Sequence, residues 1–129
     1  MSSSKVLKLM KDKDIEYVDL RFTDPRGKLQ HLTMDATIVD EGMLNDGVFF
    51  DGSSIAGWKA INESDMILKP DLNRQIVDPY TSHNTLILFC DIFDAVKKDS
   101  YERDPRGIAK KAEAYLKKTG VGDKAYFGP

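Results

Sequence analysis

Apolar residues recur at two periods along this chain, and the change of period divides it. Val6, Leu9 and Met10 follow Ser2, Ser3 and Ser4 at helical spacing, and serines suit a helix N-cap. A short amphipathic helix is therefore predicted to end before Ile15. From Val18 the period becomes two: Val18, Leu20 and Phe22 alternate with Asp19, Arg21 and Thr23, the pattern of a half-buried strand. Asp24-Pro25-Arg26-Gly27 then puts proline at the second position of a turn and glycine at its fourth. Alternation resumes over residues 28–34, with Leu32 and Met34 on one face, which predicts a hairpin.

Residues 38–44 suggest a helical turn weakened by Gly42, and residues 48–50 a brief buried strand. Further strands are predicted over 66–68, 75–77 and 85–93. Pro70 and Pro79 fall at element ends, where a missing N–H does least harm. The run 86–90 is apolar on both faces, as a central strand requires. The last element opens at a second Asp-Pro-Arg-Gly, residues 104–107. There Asp104 is placed as N-cap and Pro105 at the first helical position. Ile108, Ala112, Tyr115 and Leu116 share one face, and Gly120 is placed as the C-terminal cap. One tetrapeptide is thus predicted to make a turn in one place and start a helix in another. The order of elements implies an α+β fold with a mixed sheet. Residues 1–14 form a helix packed on the sheet, 15–96 the sheet domain, and 97–129 a polar linker, a helix and the start of something further.

Composition narrows the function classes. The 129 residues carry 19 Lys+Arg and 21 Asp+Glu, a formal charge of −2, which argues against bulk affinity for nucleic acid. Lysine pairs at 97–98, 110–111 and 117–118 read as solvated surface. One cysteine, Cys90, excludes an internal disulfide and points to a reducing compartment. Lys5, Lys8, Lys11 and Lys13 interrupt the N-terminal apolar residues, and the longest apolar run is far short of the ~20 residues a spanning helix needs. A cytoplasmic protein with neither nucleic-acid nor membrane partners is expected.

The chemistry concentrates in Phe50-Asp51-Gly52-Ser53-Ser54-Ile55-Ala56-Gly57-Trp58, where glycines and serines surround the chain's single Trp. Residues 52–59 nearly spell a phosphate loop, but Trp58 separates Gly57 from Lys59 and no Ser or Thr follows the lysine. Residues 52–56 nearly spell a nucleophile elbow, with Ala56 where the closing glycine belongs. The base would have to be His31 or His83, each of which reads as an ordinary surface or hydrogen-bonding histidine. Asp51, Glu63 and Asp65 offer oxygen ligands of the kind Mg²⁺ takes, without the spacing of a calcium loop. Zinc has no Cys/His cluster to bind. On spacing alone the stretch reads as a glycine-rich surface loop pinned by Trp58.

A resemblance changes that reading. Residues 50–55 with Gly57-Trp58, followed by Ile61-Asn62-Glu63-Ser64-Asp65-Met66, resemble the N-terminal domain of bacterial type I glutamine synthetase. Val18-Asp19-Leu20-Arg21-Phe22-Thr23-Asp24 with Gly27-Lys28 resembles that family's first hairpin. Asp78-Pro79 and Cys90-Asp91-Ile92 resemble its later strands, Arg103-Asp104-Pro105-Arg106 its connecting helix, and Phe127-Gly128-Pro129 the lead into its first catalytic strand. The likeness runs from about Val6 to Pro129. It implies a β-grasp domain, followed by a connecting helix into a catalytic domain missing here. It also implies an enzyme of two stacked hexameric rings. There, ATP phosphorylates the γ-carboxylate of glutamate, ammonia displaces the phosphate, and Mg²⁺ or Mn²⁺ assists.

Each active site of that family lies between this domain and the catalytic domain of a neighbouring identical subunit. Carried over by motif, Asp51 binds ammonium and takes its proton, and Ser54 lines the same pocket. A carboxylate with a pKa of about 3.9 is ionised at neutral pH, and ammonium must lose a proton before it can attack. Trp58 is suited to anchoring the loop on a neighbouring surface. The resemblance also implies that metal ligands and the ATP and glutamate sites lie beyond Pro129, so this chain alone is expected to bind no cofactor and make no glutamine. The alternative is a β-grasp module that binds a partner or assists assembly without catalysis.

Overall fold

The computed structural model describes residues 2–55 and 65–128. The elements are α1 (Ser3–Asp12), β1 (Tyr17–Thr23), β2 (Leu29–Asp35), α2 (Glu41–Asp46), β3 (Val48–Asp51), β4 (Asp65–Val77), β5 (Thr85–Asp94), β6 (Asp99–Ser100) and α3 (Pro105–Thr119), with short 3₁₀ turns at Ala36–Ile38 and Gly52–Ser54. The strands form one mixed sheet in the order β2-β1-β5-β4-β3, with β6 beside β5. β1 and β5 run parallel at its centre and the other pairs are antiparallel. The α+β class predicted from the pattern is the one observed.

The alternation in β1 decides which face is core. Val18, Leu20 and Phe22 are buried together with Leu86, Leu88, Cys90 and Ile92 of β5 and Met66 and Leu68 of β4. Val6 and Met10 of α1 and Leu44 of α2 close this face from above. The hairpin turns at the first Asp-Pro-Arg-Gly, where Gly27 has φ +83° and its N–H donates to the Asp24 carbonyl at 2.9 Å.

Several expectations are corrected. The segments 66–68 and 75–77 are one strand, β4, whose register on β5 breaks between Pro70 and Gln75. Pro70 is therefore inside a strand, at the irregularity that accommodates its missing N–H. β3 is an edge strand with Phe49 71% exposed, not a buried one. The turn expected over 38–44 is split into the 3₁₀ turn and α2, because Asp40 caps α2 by accepting the Met43 N–H at 2.7 Å. Gly47 ends α2 at φ +90°, and a Cβ there would lie 2.5 Å from the Leu68 carbonyl oxygen.

α3 begins and ends where predicted, with Asp104 as N-cap and Gly120 left-handed at φ +72°. Its apolar face is not core, however. Ile108 and Tyr115 are 55% and 69% exposed. Polar groups hold the helix root instead. Asp104, 1% exposed, accepts the buried Ile92 N–H of β5 at 3.1 Å and the Arg106 N–H at 3.1 Å. Arg106 reaches Asp91 of β5 at 2.9 Å and Asp71, in the irregular part of β4, at 2.6 Å, and Lys110 also pairs with Asp91.

Candidate functional site

β3 ends at Asp51, opposite Asp65 in the antiparallel ladder, and the chain turns at once into Gly52–Ser54. Asp51 has extended backbone (φ −84°, ψ 103°), so its side chain caps this turn. Oδ1 of Asp51 accepts the Ser53 backbone N–H at 2.9 Å and the Ser53 hydroxyl at 2.7 Å. The Ile55 N–H closes the turn on the Gly52 carbonyl at 3.1 Å. Asp51 and Ser54 are both exposed while Gly52 is buried. The turn therefore presents a carboxylate and a hydroxyl outward from the edge of the sheet. Gly57, Trp58, Lys59 and Glu63 lie outside the described residues.

Asp51 and Ser54 thus share one tight turn. Ser53 is the residue that reading by motif passed over, and the signal for it was present: a hydroxyl two residues after an aspartate is the spacing of an Asx turn. Asp51 and Asp65 face each other across β3 and β4, but among the described residues no three His, Cys, Asp or Glu side chains converge as a metal site would need. The described residues do not themselves fit a Mg²⁺ or Mn²⁺ ion.

Asp19, His31 and His83 have structural partners. His31 Nδ1 lies 2.8 Å from Asp19 Oδ1, which also accepts the Thr33 hydroxyl at 2.8 Å, while Arg21 Nε donates to Asp19 Oδ2 at 2.7 Å. Burial alone would push the Asp19 carboxyl up. The donors Arg21, His31 and Thr33 outweigh it and hold the group below the usual carboxylate range. His83 lies in the turn before β5, 3.1 Å from Glu16. Both histidines are therefore hydrogen-bonding residues rather than bases for a nucleophile. Burial pushes the Cys90 thiol up, which makes it inert.

A family model described as "Glutamine synthetase, beta-Grasp domain" matches residues 14–95. Glutamine synthetase of Rhizobium meliloti (strain 1021) is 59% identical over 128 residues, covering 99% of this chain and 27% of its own length. That of Methylococcus capsulatus (strain Bath) is 56% identical over 129 residues, covering 100% of this chain and 28% of its own. Among solved structures, the cryo-EM structure of Plasmodium falciparum glutamine synthetase superposes with a TM-score of 0.82 at 26% identity, over 93% of this chain and 23% of that one. The chain spans about a quarter of the length of the relatives it matches. A mixed sheet carrying α1 and α2 on one face, matched by that model and these relatives, places the chain in the glutamine synthetase family as its β-grasp domain.

Proposed function

We propose that this chain supplies the ammonium side of a glutamine-forming active site, completed by the catalytic domain of a neighbouring identical subunit in a ring-shaped dodecamer. Ammonium, glutamate and ATP are the substrates of that assembly, with Mg²⁺ or Mn²⁺ held elsewhere than on the described residues. In this reading residues 15–96 are the working domain, residues 1–14 a helix packed on it, and 97–129 lead away from it. The assembly is cytoplasmic; no described helix is long and apolar enough to cross a membrane.

The supporting observation is the outward carboxylate of Asp51, set at the end of an edge strand in a turn closed by Ser53. An ionised carboxylate attracts the ammonium cation. It can then accept a proton as the N–H bond breaks, and the nitrogen lone pair becomes available to the carbonyl carbon of the γ-glutamyl phosphate made from glutamate and ATP, with phosphate leaving as the C–N bond forms. Ser54 adds a hydroxyl to the same wall. The relatives' name and the family match support the reaction class.

The test places this chain in the Rhizobium meliloti relative in exchange for the matching 128 residues. The assembled chimera should form glutamine, and Asp51→Asn should lower kcat/KM for ammonium by roughly a hundredfold or more while ATP affinity changes little. An assembled chimera that forms none, or an Asn variant that uses ammonium as well as the parent does, overturns the reading and moves a non-catalytic binding module ahead.

A further inference from the structure

We propose that Ser53 is a positioning residue of the ammonium site, its hydroxyl fixing the Asp51 carboxylate from behind. The inference rests on the reading of Asp51 given above. An exposed aspartate at a strand end has several rotamers open to it, and donors on its carboxylate select among them. Ser53 places two donors on a single oxygen, the backbone N–H at 2.9 Å and the hydroxyl at 2.7 Å. Any residue but proline at this position would supply the N–H, but the second donor requires a hydroxyl. The two neighbouring serines thus divide the work. Ser53 is half-buried and turned back onto Asp51, whereas Ser54 is exposed.

The molecule contains its own comparison. Asp35, Ala36 and Thr37 repeat the arrangement at the end of β2, where Asp35 Oδ1 accepts the Thr37 N–H at 2.8 Å and its hydroxyl at 2.6 Å. There the Thr37 hydroxyl is the leading cause, and its N–H the second, of a carboxyl held below its ordinary range. Asp35 therefore shows what two donors from residue i+2 do to an exposed aspartate, and that threonine can supply them. On Asp51 the same pair of donors, the N–H and hydroxyl of residue i+2, holds the carboxylate in one orientation.

The experiment uses the chimera described above, with Ser53→Ala, Ser53→Thr and Asp51→Asn compared by varying ammonium and glutamate in turn while the other substrates are saturating. Ser53→Ala removes the hydroxyl and keeps the N–H. It should raise KM for ammonium roughly tenfold, the effect of one hydrogen bond to a charged group, and leave KM for glutamate unchanged. Ser53→Thr should return KM for ammonium to within about twofold of the parent, as the Thr37 geometry implies. Loss of both substrates' affinity together, or failure of threonine to rescue, would make Ser53 a folding residue only. If Ser53→Ala is silent while Asp51→Asn is crippled, the positioning role fails and the site stands. If both variants use ammonium normally, the site itself fails.

Discussion

Asp19 stands on the face of β1 that alternation assigns to solvent, yet it is 4% exposed. β1 lies between β2 and β5, so His31 and Thr33 from one side and Ile87 from the other share its face. A period of two reports which residues face apart but not what will stand beside them, and the neighbours are distant in sequence. Gly47 shows the same limit. The requirement for glycine there comes from Leu68, a residue on β4. Gly47→Ala must strain a φ of +90° and push a Cβ against backbone. It should cost about 2 kcal/mol or more by urea denaturation, and a variant as stable as the parent would refute this account. The site divides likewise. Asp51 and Ser54 are candidates through resemblance, whereas which of two adjacent serines turns onto the aspartate depends on the turn's geometry.

The elements most legible in the sequence were those with local signals at both ends. The β1–β2 hairpin has its turn tetrapeptide, and α3 has Asp104, Pro105 and Gly120. β4 was split because Pro70 and the polar residues after it look like a boundary, while the pairing that continues the strand belongs to β5. The two Asp-Pro-Arg-Gly copies behave alike at their first step, since Asp24 and Asp104 each accept the N–H of the arginine two residues on. They diverge because Asp24 also takes the Lys28 N–H and turns the chain back, whereas Asp104 takes Ile92 of β5 and docks a helix. For α3 the periodicity places the apolar face, but periodicity does not say whether that face is covered, and Ile108 and Tyr115 are exposed. Asp104→Ala should therefore destabilise the chain by roughly 2–4 kcal/mol, removing a cap and orphaning a buried N–H. Tyr115→Ser should change stability by less than about 0.5 kcal/mol. A reversed order in a urea titration would mean that the apolar face, not the polar root, holds the helix.

Across the whole molecule these carboxylates make stability a function of pH. Asp24 and Asp35 are held below their usual 3.8 chiefly by Gln30 and Thr37 respectively. In Asp19 and Asp71 burial pushes up, but the donors around each carboxyl outweigh it. Such groups bind protons more readily when unfolded, so their stabilisation is complete above 3.8 and disappears as pH falls through the lower folded values. Asp104 has the opposite sign, its carboxyl raised by burial, so its contribution is present below 3.8 and lost as pH rises through the folded value. Among the described carboxylates, four depressed groups against one raised group predict a urea midpoint that falls as pH drops below about 4. A midpoint that rises on acidification would show that Asp104 dominates. The polar root of α3 also has a mechanical consequence. A helix of 15 residues extends about 22 Å, and the bonds described here clamp it at one end, so it is a cantilever. A tilt of only about 10° at Arg106 would carry the far tip by about 4 Å, so small losses of grip on Asp71 and Asp91 are magnified into large displacements of whatever follows Gly120.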